Sequence, residues 1–265
     1  MQNSTSNYFS PGELVAKATE GAMTRSKTNV SKTLVLAFLA GAYIALGGLL
    51  AVIVGGGVPG IAASNPGIQK FLMGAVFPLG LIMCAIAGAD LFTGNTAYFI
   101  PPVMSKRLKV SQLVRNWTLV YLGNFVGALF VAYCMTYLTG LFDKDPWHES
   151  ILKIAEAKTS NPFYKTFFKG IGANWLVALA MWLSFASKDV VGKIAAIWFP
   201  VMAFVAMGFE HSVANMFFIP AAMFYGADVS ITSFIVDNLI PATLGNIVGG
   251  GLMVGMAYWY VYGRE

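Results

Sequence analysis

Six stretches of this chain, at roughly 33–56, 70–100, 112–141, 166–187, 194–223 and 233–262, are each long and apolar enough to cross a bilayer, which takes about 20 helical residues. Backbone inside hydrocarbon must satisfy its own N–H and C=O groups, so runs like these fold as helices and are difficult to place in any soluble architecture. The composition agrees: 57% of residues are hydrophobic and 11% charged, against about a quarter charged in a soluble domain. The mean hydropathy is +0.67. The chain reads as an all-α integral membrane protein with no nucleic-acid partner. The 28 glycines and 20 phenylalanines suit helices that approach closely and fill gaps with rings.

The second and fifth runs are too long and too punctuated to be straight helices. Each holds a polar cluster at its middle and a proline near its end, and each reads as two half-helices around a loop. Residues 1–32 lack the apolar core of a signal peptide and read as a polar segment with a short amphipathic helix at about 11–26, carrying Leu14, Val15, Ala18 and Met23 on one side. Residues 33–265 are then expected to form one six-span transmembrane domain. Cys84 and Cys134 fall in apolar runs and read as buried thiols, without the spacing of a metal site or a disulfide framework. Basic residues set the orientation, because short cytoplasmic loops are rich in Lys and Arg. With six spans, Lys17, Arg25, Lys27, Lys32, Lys106, Arg107, Lys109, Arg115, Lys188, Lys193 and Arg264 share one side. Both termini are expected in the cytoplasm, in a plasma or inner membrane. The opposite side carries Lys70, an acidic 224–237 stretch and a mixed-charge loop at 142–169.

The two interrupted runs resemble each other. In GADLFTGN (88–95) and GFEHSVAN (208–215) a glycine, an acid and an asparagine coincide at an offset of 120, and LGNFVG (122–127) resembles LGNIVG (244–249). Spans one to three therefore repeat as four to six. A unit with an odd number of crossings must insert upside down the second time, giving a 3+3 inverted repeat whose broken helices meet near the midplane. Half-helix N-termini there present free N–H groups and partial positive charge, which suit an anion or polar ligand. This favours a pathway over a receptor or an enzyme.

His211 is one of two histidines, and it lies inside the fifth run. An imidazole in a membrane span is costly and faces a bundle interior or cavity. It serves either packing alone or a passing solute, to which it gives a hydrogen bond or a proton. Its mate in the repeat is Leu91. Thr93 in the first break is a hydroxyl that serves freed backbone or a substrate. Asp90 and Glu210 occupy equivalent places and read as scaffold, hydrogen-bonded to Asn174, Asn246, Asn95, Asn124 or Asn215, since buried carboxylates need partners, with a proton relay at Glu210 as the alternative. Lys158 reads as a solvated loop lysine, with anion collection as the alternative. Phe77, Leu81, Leu91, Phe92, Val177 and Phe204 fit either pore constrictions or plain core, and the sequence does not separate the two. The pairs Gly123/Gly127 and Gly245/Gly249 read as helix contacts.

The motifs GADLFTGN, GFEHSVANMFFIP, RNW (115–117) and DNLIPATLGNIVGGGLMVG (237–255) together resemble the formate/nitrite transporter family over essentially the whole chain, and bacterial formate channels within it. The resemblance implies a homopentamer of six-span protomers, each with its own pore and an aquaporin-like architecture. It implies a central polar site of His211 and Thr93, constrictions at Phe77, Leu81, Leu91, Val177 and Phe204, Asn174 beside them, and a vestibule lysine at Lys158. Glu210 and Asn246 support the second break.

The expected function is passage of a small monovalent anion, formate first, linked to protons. Carrying a bare carboxylate through an apolar ring costs several kcal/mol or more, and protonation removes most of that cost. An imidazole, with an ordinary pKa of about 6.5, or water beside it can supply the proton. Nitrite, hydrosulfide and lactate are alternatives that the same site can treat alike. A water or glycerol channel is less favoured, because no Asn-Pro-Ala pair lies at the breaks. No HExxH or GxSxG motif occurs, and neither enzymatic activity, a cofactor nor a metal is expected.

Overall fold

The computed structural model describes residues 8–263; Arg264, counted among the basic residues above, lies outside them. Helix α1 (Pro11–Lys27) begins where the backbone N–H and hydroxyl of Ser10 both donate to Glu13 Oε2 at 2.7 Å. Those bonds, that of the hydroxyl first, hold the Glu13 carboxyl below its ordinary pKa. Pro11 opens the helix, a position where a missing N–H costs nothing. Of its expected apolar side, Leu14, Val15 and Ala18 are buried, while Met23 is only half-buried and Ala22 takes the buried place beside it.

Helix α2 (Val30–Gly56) follows, then α3 (Pro59–Ser64), α4 (Pro66–Val76) and α5 (Leu79–Ala87). After a gap come α6 (Phe92–Tyr98) and α7 (Ile100–Met104). The second apolar run is thus interrupted at Pro78 as well as at the expected loop. Helix α8 (Val110–Tyr137) ends in a π-helical stretch from Val131. The mixed-charge loop holds an unforeseen helix, α9 (Trp147–Thr159). Helix α10 (Phe163–Ala186) is followed by α11 (Val190–Ala206) and, past a second gap, α12 (Ser212–Phe224). The last helix, α13 (Ile231–Tyr262), has a π-helical stretch at Phe234–Leu239 just before Pro241, whose ring removes a helix donor. Among the described residues the β pairing is confined to one isolated bridge, Tyr8 with Ser187.

Five of these stretches are long and apolar enough to cross a membrane: α2, α4–α5, α8, α10 and α13. Helices α11 and α12 are apolar and shorter. The tightest packing pairs α2 with α8 and α10 with α13. At Gly127 an added Cβ would strike the Phe38 carbonyl of α2, and at Gly245 the Phe167 carbonyl of α10. Small residues thus bring these backbones into contact, as the two spacings predict. Cys84 is buried, whereas Cys134, in the π-helical end of α8, is only half-buried; both thiols are free. The sequence expectation for Cys134 is corrected to that extent.

Candidate functional site

The two gaps end alike. Gly88 and Gly208 adopt left-handed backbone, φ +80° and +70°, which stops α5 and α11 and which residues with a Cβ rarely adopt. The chain then runs extended through Leu91 and His211, the residues that start α6 and α12. The backbone freed by each gap is taken up by one asparagine. Asn124 on α8 accepts from the Phe92 N–H (2.9 Å) and donates to the carbonyls of Asp90 (3.0 Å) and Ala37 (2.7 Å). Asn246 on α13 accepts from the Ser212 N–H (2.8 Å) and donates to Glu210 (2.9 Å) and Gly170 (2.8 Å). In membrane interiors such groups have no water to fall back on, so these side chains define the shape of the gaps.

The carboxylates match in the same way. Asn95 donates to Asp90 Oδ1 and to Asn116 Oδ1, both at 2.8 Å; Asn215 donates to Glu210 Oε2 and to Asn238 Oδ1, both at 2.7 Å. Each acid also meets a cation from a helix outside its own break. Arg25 of α1 lies 3.0 Å from Asp90, and Lys158 of α9 lies 3.0 Å from Glu210. The reading of Lys158 as a solvated loop lysine is therefore corrected: α9 folds over the second break, and the side chain is 17% exposed. Burial of these acids is offset by ion pairing together with amide hydrogen bonds, the combination that buried charges require.

Between the breaks, Thr93 Oγ1 lies 2.9 Å from His211 Nε2. The Ala214 N–H donates to His211 Nδ1 at 3.1 Å, so the ring caps α12 with that nitrogen. A nitrogen that accepts is unprotonated, which assigns the hydrogen of the neutral ring to Nε2 and makes Thr93 its acceptor. The threonine O–H is left free to donate elsewhere. Asn174 fixes the threonine from behind, donating to the Thr93 carbonyl (3.2 Å), Thr96 Oγ1 (2.8 Å) and the Asn246 carbonyl (2.6 Å).

Phe204 stacks on the imidazole at 5.8 Å between centroids, and Phe77 meets Phe204 edge-on at 5.8 Å. Ile44, Phe77, Leu81, Val177, Val201, Phe204 and His211 enclose a space too small for a water molecule. On one side this seal faces a cavity of about 300 Å³, shared by Phe77, Phe204 and His211 with Lys70, Lys158, Lys169, Glu210 and Phe218. Of the apolar residues singled out in the sequence, Phe77, Leu81, Val177 and Phe204 meet around His211. Leu91 is buried at the start of α6 and does not line this space, and Phe92 turns away to pack on Trp117 and Tyr121.

Four participants escaped the sequence reading. Arg25 figured only as an orienting charge, and Lys169 not at all. Asn116 and Asn238 were legible in principle, because they recur at the same spacing as Asn124 and Asn246. Nothing in the local pattern signals Arg25, whose partner lies 65 positions away.

Residues 12–260 match the family profile described as formate/nitrite transporter. A probable formate transporter of Methanothermobacter thermautotrophicus is 45% identical over 274 residues, covering 98% of this chain and 99% of its own. Among solved structures, one described as an FNT family ion channel aligns with a TM-score of 0.84 at 34% identity, over 95% of this chain and 98% of that one. Another, described as a pentameric formate channel with formate bound, gives 0.77 at 36% identity, over 89% and 98%.

Proposed function

Because the chain belongs to the formate/nitrite transporter family, a family of multi-pass membrane transporters and channels, we propose that it conducts formate as the neutral acid past a His211–Thr93 pair. The observation that carries the reading is the hydrogen bond between those two side chains at the sealed floor of a lysine-lined cavity. A solved relative with formate bound supports the substrate, and its pentameric assembly supports a homopentamer here. The fold we propose is six crossings in a 3+3 inverted repeat, with α4–α7 and α11–α12 as broken crossings, spanning residues 33–265 behind an N-terminal segment of 1–32. The duplicated glycine stops, asparagine braces and carboxylate clusters support it. Both termini face the cytoplasm in this reading, on the side rich in Lys and Arg.

An anion gathers in the cavity, whose opening we place on the outer side, and meets the ring of Phe77, Leu81, Val177 and Phe204. Stripping water from a carboxylate there costs several kcal/mol, so formate passes after taking a proton. The ring is a poor source for that proton. With Nδ1 bonded to the Ala214 N–H, imidazole has only Nε2–H to give, and giving it would leave an anion in an apolar site. Hydronium in the vestibule gives the proton and is left as water, and the free Thr93 O–H, joined by the imidazole Nε2–H when it turns from the threonine, offers hydrogen bonds that replace lost water. Flux then rises as pH falls and the acid form becomes more abundant.

Proteoliposome flux across pH tests the proposal. His211→Phe removes the Nε2 donor and is expected to abolish pH-coupled formate flux in protein that still folds. Undiminished, pH-coupled flux in that variant would defeat the reading. Nitrite, which the family description also names, is the second candidate, and competition with formate, hydrosulfide and lactate ranks them.

A further inference from the structure

Lys158 is not the free cation of the vestibule. Its ammonium is bonded to Glu210, and a paired charge presents a dipole whose attraction fades over a short distance. Among the described residues Glu210 is the only acid that lines the cavity, against three lysines, Lys70, Lys158 and Lys169. Among the described residues the ion pairs are Arg25–Asp90, Lys153–Glu149 and Lys158–Glu210. Lys169 and Lys70 thus face the cavity without a carboxylate.

Lys169 is tied to the site through its backbone. Its carbonyl accepts the Glu210 N–H at 3.3 Å, just as the Leu36 carbonyl on α2 accepts the Asp90 N–H at 3.1 Å. Leucine fills the equivalent role in the other break, so that backbone contact does not call for a lysine. An ammonium on a membrane helix is expensive unless it reaches a wet cavity, and Lys169 lines this one. Lys70 lies farther out, shared with a second cavity of about 580 Å³ in which the other lysine, Lys153, is paired to Glu149.

We infer that Lys169 is the anion-capture residue of this vestibule, taking small monovalent carboxylates or inorganic anions handed inward from Lys70. The inference rests on the functional reading above and goes beyond it: it assigns capture to an unpaired lysine on α10 and leaves Lys158 to hold Glu210. An uncompensated cation in a low-dielectric cleft raises the local anion concentration by tenfold or more, and salt screens the effect.

Two measurements decide it. In proteoliposomes, Lys169→Met is expected to raise the KM for formate about tenfold, to change maximal flux much less, and to flatten the dependence of KM on ionic strength. Lys169→Arg restores both, whereas Lys169→Glu raises KM further and reverses its dependence on ionic strength. Independently of transport, a cysteine placed at Ala157, which lines the same cavity, is labelled with anionic and cationic methanethiosulfonates and read by mass spectrometry at that position. The anionic-to-cationic rate ratio is expected to fall several-fold on adding Lys169→Met. A wild type that carries no formate defeats the functional reading, while the labelling ratio still reports on Lys169. A ratio that Lys169→Met leaves unchanged, or a formate KM that it leaves unchanged in a conducting protein, overturns the inference.

Discussion

Thr93 Oγ1 and His211 Nε2 lie 118 positions apart in sequence and 2.9 Å apart in space, each at the first turn of a different short helix. Neither break alone supplies a hydrogen-bonding pair; the two together do.

Removing the threonine hydroxyl isolates the ring. Thr93→Val keeps the shape and leaves a buried N–H without an acceptor, at a cost of about 1–3 kcal/mol. Formate flux is expected to drop by an order of magnitude and the melting temperature in detergent to fall. Thr93→Ser retains the oxygen and should remain close to wild type in both. Equal flux in the valine and serine variants would remove the hydroxyl from the mechanism.

The asparagine braces are equivalent, so their loss should be equivalent. Asn246→Ala and Asn124→Ala each remove the bonds to one N–H and one carbonyl of a break and to one carbonyl of a neighbouring helix. Each unsatisfied buried group costs about 1–3 kcal/mol, so both variants are expected to be severely destabilised, by similar amounts. Thermal unfolding of the purified protein compares them; a large loss in one and none in the other would break the equivalence.

Lys158 and Glu210 should be coupled in a double-mutant cycle. Lys158→Met strands a buried carboxylate with only amide partners, and losing one member of such a pair costs about 3–5 kcal/mol. Glu210→Gln added to it removes the stranded charge and is expected to recover much of that loss. Additive losses in the cycle would mean that the pair contributes little.

Phe204 closes the floor of the cavity. Phe204→Ala is expected to cost about 3–5 kcal/mol of stability and to open the space beneath His211 to water. In vesicles, passage of larger acids such as lactate should rise relative to formate, and the steepness with pH should lessen as hydrated ions leak through. An unchanged ratio and pH profile would place the selective seal elsewhere.

Much of this was legible in the residues. Hydrocarbon admits so few backbone arrangements that apolar length alone located α2, α8, α10 and α13, and the offset between Gly88 and Gly208 located the two gaps. His211 and Thr93 stood out because polar groups inside such runs need a reason. What stayed hidden depends on contacts across long sequence separations. The run holding Lys158 reads as an ordinary charged loop, and only the placement of α9 over Glu210 turns it into part of a cluster. Leu91 shows the converse: it starts α6 as His211 starts α12, yet that shared position in the backbone did not bring its side chain to the same space.

His211 also begins α12, with Nδ1 bonded to the Ala214 N–H. A second proton on the ring would set donor against donor and fray the first turn of that helix. The charge state of the imidazole is therefore recorded in the length of a helix. The fold is in this way a mechanical guard on its own histidine, and acidification acts on the solute, which takes the proton while the first turn of the helix stays wound.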